Sequence, residues 1–179
     1  MAVDFPEELV KKVEPVRILI LDVDGVMTDG SISYSDDGTE IKSFNVKDGH
    51  GIKLLKKCGI DCAVITSRSS AALVRRCGEL GITHVYQGSL RKLEAYEDLL
   101  KRTGLDPLET AYAGDDLVDL PVLRRVGFSV AVNDAVEEVK QRVDYVTRAP
   151  GGRGAVREVV EVVLRIKGRW QDVMERYEG

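Results

Sequence analysis

The sequence is poor in the residues that staple or metallate small folds. It has three cysteines (Cys58, Cys62 and Cys77) and two histidines in 179 residues. An odd number of thiols without CxxC spacing argues against a disulfide framework, and so few histidines leave a zinc site without enough ligands. Free thiols fit a reducing cytoplasm. No apolar run approaches the roughly 20 residues needed to span a bilayer. The acidic start, Met1-Ala2-Val3-Asp4-Phe5-Pro6-Glu7-Glu8, lacks the basic n-region and apolar core of a secretion signal. Positive charge is also short, with 26 Lys and Arg against 30 Asp and Glu and a net charge of -4, which argues against general nucleic-acid binding. Repeats and low-complexity segments are absent. Apolar residues make up 44% of the chain and charged residues 31%, so one globular domain over residues 1–179, large enough for a real core, is expected.

The most informative stretch is Arg17-Ile18-Leu19-Ile20-Leu21-Asp22-Val23-Asp24-Gly25. A run of branched apolar residues reads as a strand buried on both faces, the kind found inside a parallel sheet. It ends in two carboxylates and a glycine. Further along, Asp61–Thr66, His84–Gly88, Thr110–Asp116 and Phe128–Val132 read as strands, with Asp144–Val146 as a short edge strand. Helices are expected over Phe5–Val13, from Asp48 through Lys56, over Ser70–Leu80, Leu90–Thr103, Leu117–Arg125 and Asp134–Arg142, and from Ala155 onward. One hairpin interrupts this alternation: Ser31–Ser35, a turn at Asp36-Asp37-Gly38, and a return strand Thr39–Val46, read as a flap near the site. The alternation predicts a Rossmann-like α/β three-layer sandwich with a central parallel sheet and no large cap.

In a parallel sheet all strand carboxyl ends lie along one edge, where ligands bind. Asp22, Asp24, Thr66 and Asp115 each fall at or just after a predicted strand end and should converge there. Clustered carboxylates repel unless a cation sits between them, and hard oxygen ligands suit Mg²⁺. Asp116 and Asp119 are placed behind that metal, with capping of the next helix as the competing role. Thr66 and the following backbone N–H groups can donate to a phosphoryl group. Lys92 can reach the same crevice, with Arg91 as the alternative cation. With metal and donors in place, one aspartate can attack phosphorus, and a second carboxyl two residues away can serve as acid and then base.

Asp22-Val23-Asp24-Gly25, Thr66, Lys92 and Gly114-Asp115-Asp116-Leu117-Val118-Asp119 together resemble the four ordered motifs of the haloacid dehalogenase superfamily phosphatases. The resemblance covers about Arg17 to Arg157. It implies Asp22 as nucleophile, Asp24 as general acid/base, and Thr66 and Lys92 as phosphoryl holders. It further implies Mg²⁺ on Asp22, the backbone carbonyl of Asp24, and Asp115. Asp24–Gly30, Phe44–Ile52 and Gly151–Glu158 are similar to stretches of one subgroup, the 3-deoxy-D-manno-octulosonate 8-phosphate phosphatases. That subgroup is capless and tetrameric, its hairpins meet centrally, and a neighbouring subunit helps cover each site. On this reading Ser67 lies in the phosphate loop, and Arg68, Lys47 and the loop around Arg153 would hold the sugar acid's carboxylate. Two positions depart from the pattern: Ser67 stands where Gly is usual, and His50 where an aromatic or apolar residue is usual. The tail Arg169–Gly179 lies outside the resemblance and reads as a packing helix or an oligomer contact.

Besides a phosphotransferase or mutase, which would need a second phosphate pocket or a larger cap, three other readings compete. A phosphatase for nine-carbon keto-deoxy sugar acid phosphates shares the chemistry but tends to differ around Val46-Lys47-Asp48-Gly49. A phospho-accepting receiver domain carries its acceptor Asp on the third strand, where this chain has Gln87-Gly88. A silent regulatory member would not need both Asp22 and Asp24.

Overall fold

A computed structural model describes residues 5–178. Its centre is a six-stranded, wholly parallel sheet of order β5-β4-β1-β6-β7-β8. The strands are β1 (Ile18–Leu21), β4 (Asp61–Ile65), β5 (His84–Tyr86), β6 (Thr110–Gly114), β7 (Phe128–Ala131) and β8 (Tyr145–Val146). β1 takes the middle because all four of its side chains are apolar and can be buried on both faces. Its register sets Leu21 against Val64 of β4 and Ala113 of β6, so three strands end side by side. The chain builds outward from β1 in one direction and then, from β6, in the other. The switch therefore falls between β1 and β6, where an open α/β sheet leaves a crevice at its carboxyl edge.

Helices flank the sheet: α1 (Glu7–Val13), α2 (Val46–Lys57), α3 (Ala71–Leu80), α4 (Lys92–Thr103), α5 (Leu120–Leu123), α6 (Glu137–Lys140), α7 (Ala155–Ile166) and α8 (Trp170–Glu178). α2 packs on α7, and α4 on α5. α7 supplies Val156, Val159, Val160, Val163 and Leu164 to the core, the broad stripe its 3.6-residue spacing requires. Gly81 and Gly104 close α3 and α4 in the left-handed conformation. The tail helix α8 lies against α7, with Arg157 and Arg165 stacked over the Trp170 ring.

Three expected elements depart most from their sequence pattern. The hairpin keeps only Ser33–Tyr34 (β2) and Glu40–Ile41 (β3), and Asn45, expected in the return strand, instead caps α2. Its side chain accepts from the N–H groups of Lys47 (2.8 Å) and Asp48 (3.3 Å). The helix expected over Leu117–Arg125 divides into a 3₁₀ turn at Leu117–Asp119 followed by α5. The one expected over Asp134–Arg142 starts only at Glu137, since Asp134 accepts from Gly151 N–H (2.8 Å) and Val136 is extended.

Residues in two of the subgroup-like stretches hold the scaffold together. Asp48 is buried and accepts from the N–H groups of Gly154 (3.2 Å) and Arg157 (2.8 Å), capping the start of α7 from a distant part of the chain. Burial pushes its carboxyl up despite those bonds. The Pro150–Gly154 loop packs beneath the turn that follows β1. A Cβ on Gly151 would lie 1.7 Å from Gly25 O, so only a glycine fits between the two backbones.

Candidate active site

Asp22 follows β1 directly, and its N–H donates to Ala113 O of β6 (3.0 Å), so the sheet ladder itself fixes the residue. Its Oδ1 accepts from Val23 N–H (2.7 Å) and its Oδ2 from Lys92 Nζ (2.8 Å). Lys92 is the first residue of α4, and its buried side chain runs inward to lie between Asp22 and Asp119 Oδ1 (2.7 Å). Arg91, the alternative cation, is exposed and pairs with Glu94. Burial pulls the Lys92 pKa down, but Asp119 and Asp22 outweigh it and hold the ammonium above its usual value.

Asp119 is wholly buried and saturated. It accepts from Lys92, from Tyr112 OH (2.6 Å), and from the N–H groups of Asp115 (3.0 Å) and Asp116 (3.3 Å). Those two backbone bonds shape the turn after β6 and aim Asp115 at Asp22. Asp116, on the cleft rim, caps the 3₁₀ turn by accepting from Leu117 N–H (2.7 Å). Of the pair expected behind a metal, Asp119 thus holds the turn from within, whereas Asp116 takes the capping position.

A cleft of about 160 Å³ is lined by Asp22, Asp24, Thr66, Ser67, Arg68, Lys92, Asp115, Asp116 and Val118. Thr66 follows β4 and is buried, with its N–H on Tyr86 O (2.9 Å), so its place too is set by the sheet. Ser67 donates to Ser89 O (3.4 Å). Lys47 lies on the exposed first turn of α2 and does not line the cleft. Arg153 is also outside it, exposed and 3.7 Å from Asp29. His50 points away, 3.2 Å from Tyr177 OH on α8. Two residues that sequence reasoning passed over do reach the site. Lys42 and Glu40, from the hairpin, form ion pairs with Asp24 and Arg68 respectively. Only folding the hairpin back over the cleft reveals them, because alternation along β3 gives no sign of what they face.

Oxygens of Asp22, Asp115 and Asp119 lie within 4.8 Å of one another. Asp119 is already occupied by four donors, which leaves Asp22 and Asp115 facing each other with one lysine for compensation. Burial, with Asp119 adding to it and Lys92 opposing, pushes the Asp22 carboxyl up to about 6. Burial, then the charges of Asp22 and Asp119, pushes Asp115 up to about 8. A pair of carboxylates this reluctant to ionise suits a hard divalent cation, which would reverse both shifts. Gly25 completes the fit: at φ +87° it adopts a conformation natural to glycine, and a Cβ there would sit 2.0 Å from Asp115 Oδ2.

Comparison with known proteins identifies the family. Residues 78–158 match the family model of the haloacid dehalogenase-like hydrolases. The 3-deoxy-D-manno-octulosonate 8-phosphate phosphatase of Escherichia coli K12 is 49% identical over 162 residues, covering 90% of this chain and 86% of that protein. The Moraxella catarrhalis 3-deoxy-D-manno-octulosonate 8-phosphate phosphatase, solved in complex with magnesium ion, phosphate ion and a KDO molecule, superposes with TM-score 0.94 at 41% identity. That match covers 97% of this chain and 99% of that one. The cobalt-bound Haemophilus influenzae phosphatase gives TM-score 0.85 at 46% identity, over 88% and 92% of the two chains. With 49% identity over 90% of its length and a fold shared across nearly the whole chain, the chain belongs to the haloacid dehalogenase-like hydrolases, in the family of the 3-deoxy-D-manno-octulosonate 8-phosphate phosphatases.

Proposed function

We propose that this protein is a Mg²⁺-dependent phosphatase that converts 3-deoxy-D-manno-octulosonate 8-phosphate to the free sugar acid and phosphate. The observation that carries this reading is the convergence of Asp22, Lys92 and Asp115 at the switch point, in a chain half identical to such enzymes.

Asp22 is the nucleophile. Its carboxylate oxygen forms a bond to phosphorus as the bond from phosphorus to the sugar oxygen breaks, giving an aspartyl phosphate. Asp24 donates a proton to the departing oxygen, then takes one from the water that attacks phosphorus, and phosphate release restores Asp22. Lys92 fixes the orientation of Asp22 and, with the Thr66 hydroxyl, offers positive charge and a donor to the phosphoryl oxygens. Mg²⁺, held by Asp22, Asp115 and the backbone carbonyl of Asp24, would screen the nucleophile from the phosphate and stabilise charge on the phosphoryl group. Arg68, on the cleft wall, is the candidate for the substrate's carboxylate, with Ser67 beside it. Lys47 and Arg153 do not line this cleft, so a contact of theirs with the substrate would lie beyond it or come from a neighbouring subunit.

A homotetramer is part of the same reading. The hairpin exposes Ile32, Tyr34 and Ile41, apolar side chains that a lone subunit leaves in water. A cytoplasmic location agrees with three buried free thiols, and among the described residues no helix is long and apolar enough to cross a membrane.

Phosphate release from eight- and nine-carbon keto-deoxy sugar acid phosphates and from arabinose 5-phosphate, with and without Mg²⁺, tests the proposal. Mg²⁺-dependent turnover of the eight-carbon acid, lost in Asp22→Asn, is the expected result. Preference for the nine-carbon acid would replace the substrate and keep the mechanism. No release from any of them by the folded, Mg²⁺-loaded protein would overturn the enzyme reading.

A further inference from the structure

Asp24 is the one carboxylate at the cleft whose surroundings come from the hairpin. Lys42 Nζ donates to Asp24 Oδ1 and lies 3.2 Å from Glu40 Oε1. Glu40 Oε2 accepts from the Arg68 guanidinium, and Arg68 Nε lies 3.8 Å from Asp24 Oδ2. The four side chains close a ring of two cations and two anions joining the turn after β1, the loop after β4, and the hairpin. The Lys42 side chain is only 3% exposed, which is rare for a lysine on a two-stranded surface ribbon. Burying that ammonium is costly unless its partners are fixed, so its place is structurally specified. Two atoms of the ring, Glu40 Oε1 and Arg68 Nε, are buried without a hydrogen bond that meets geometric criteria.

We infer that Lys42 is a positioning residue for Asp24. Its bond to Oδ1, with Arg68 Nε near Oδ2, fixes the carboxylate's rotation at the cleft. Glu40 tethers Lys42 in turn, so the short hairpin sets the geometry of proton transfer as well as roofing the cleft. This rests on the acid/base role proposed for Asp24. It gives the hairpin a task within its own subunit, separate from any contact between subunits.

A general acid matters most when the leaving oxygen is a poor leaving group. An alkoxide needs its proton in the transition state, whereas p-nitrophenolate departs without one. The test compares kcat and KM of the full-length, Mg²⁺-loaded protein for an alkyl phosphate and for p-nitrophenyl phosphate, in wild type, Lys42→Met, Lys42→Arg and Glu40→Gln. The alkyl substrate is whichever sugar phosphate the wild type turns over best. Loss of orientation in Lys42→Met is expected to lower kcat for the alkyl ester about 10- to 100-fold, with KM within about threefold. The ratio of alkyl to aryl kcat should fall at least about tenfold. Lys42→Arg should recover most of that ratio, and Glu40→Gln should shift it less and in the same direction. Equal losses on both esters, or a change confined to KM, would overturn the positioning role and leave Lys42 a substrate contact or a scaffold residue. If the eight-carbon acid phosphate is not turned over but another alkyl phosphate is, the substrate reading fails while the Lys42 ratio is still measured. A wild type active on the aryl ester alone would remove Asp24's acid role and this inference with it.

Discussion

Lys92 Nζ lies 2.8 Å from Asp22 Oδ2 and 2.7 Å from Asp119 Oδ1, bridging the proposed nucleophile to the residue that shapes the opposing loop. Both contacts are buried, so neither is screened by water as a surface pair would be. Removing the cation leaves Asp22, Asp115 and Asp119 facing one another with no compensating charge. Lys92→Met is therefore expected to destabilise the metal-free protein by about 3–5 kcal/mol and to lower kcat by a factor of at least about 100. Urea unfolding in EDTA and steady-state phosphate release measure the two effects. Wild-type turnover in Lys92→Met would remove Lys92 from the mechanism.

The raised carboxyls of Asp22 (about 6) and Asp115 (about 8) link protons to metal. A cation must displace whatever protons these groups carry, so Mg²⁺ affinity should rise from pH 6 to pH 8.5, by at most about tenfold per pH unit for each proton released. The stability of the metal-free protein has the opposite sign. A carboxyl whose folded pKa lies above its unfolded one binds more protons when folded, so its contribution falls as pH rises from about 4 through the folded value. Isothermal titration calorimetry at several pH values checks the first trend. Thermal melts with and without Mg²⁺ check the second, and Mg²⁺ should raise Tm more at pH 8 than at pH 6. A pH-independent Mg²⁺ affinity would count against Asp22 and Asp115 as its ligands.

Gly25 permits the close approach of the turn after β1 to Asp115. With φ +87° and Asp115 Oδ2 only 2.0 Å from a notional Cβ, Gly25→Ala should both strain the turn and push Asp115 aside. Mg²⁺ affinity and kcat should each fall at least about tenfold, while the far-UV circular dichroism stays that of wild type.

Asp48 ties α2 to the start of α7 through two backbone N–H groups. Asp48→Ala leaves two part-buried donors without their acceptor, and should cost about 1–3 kcal/mol in urea denaturation. Asp48→Asn, which keeps one acceptor oxygen, should lose less. Comparable activity per folded molecule in both variants would mark the residue as scaffold.

The hairpin offers a direct check on assembly. Replacing Ile32, Tyr34 and Ile41 with serine removes the exposed apolar patch and should shift the particle in sedimentation equilibrium from the proposed tetramer toward smaller species. An unchanged mass would place the interface elsewhere.

What the sequence determined by itself was the frame and most of the cleft. Buried apolar runs such as Ile18–Leu21, alternating with helical segments, read as inner strands of a parallel sheet, and a parallel sheet brings its strand ends to one edge. That rule was enough to place Asp22, Asp24, Thr66 and Asp115 together, because each sits within two or three residues of a strand. Residues far from strand ends obey no such rule. Lys47 and Arg153 looked suited to a carboxylate, yet the capped start of α2 and the loop buttressing Gly25 hold them away from the cleft. Lys42 and Glu40 gave no local signal, and they reach Asp24 and Arg68 only because the hairpin folds back over the sheet edge. The division between Asp119 and Asp116 was likewise left to the tertiary structure. Backbone N–H groups of the turn and the inward reach of Lys92 saturate one carboxylate, while the other is left to cap a helix. Periodicity and strand ends are written locally, but the partner of a side chain is fixed by whichever distant segment packs over it.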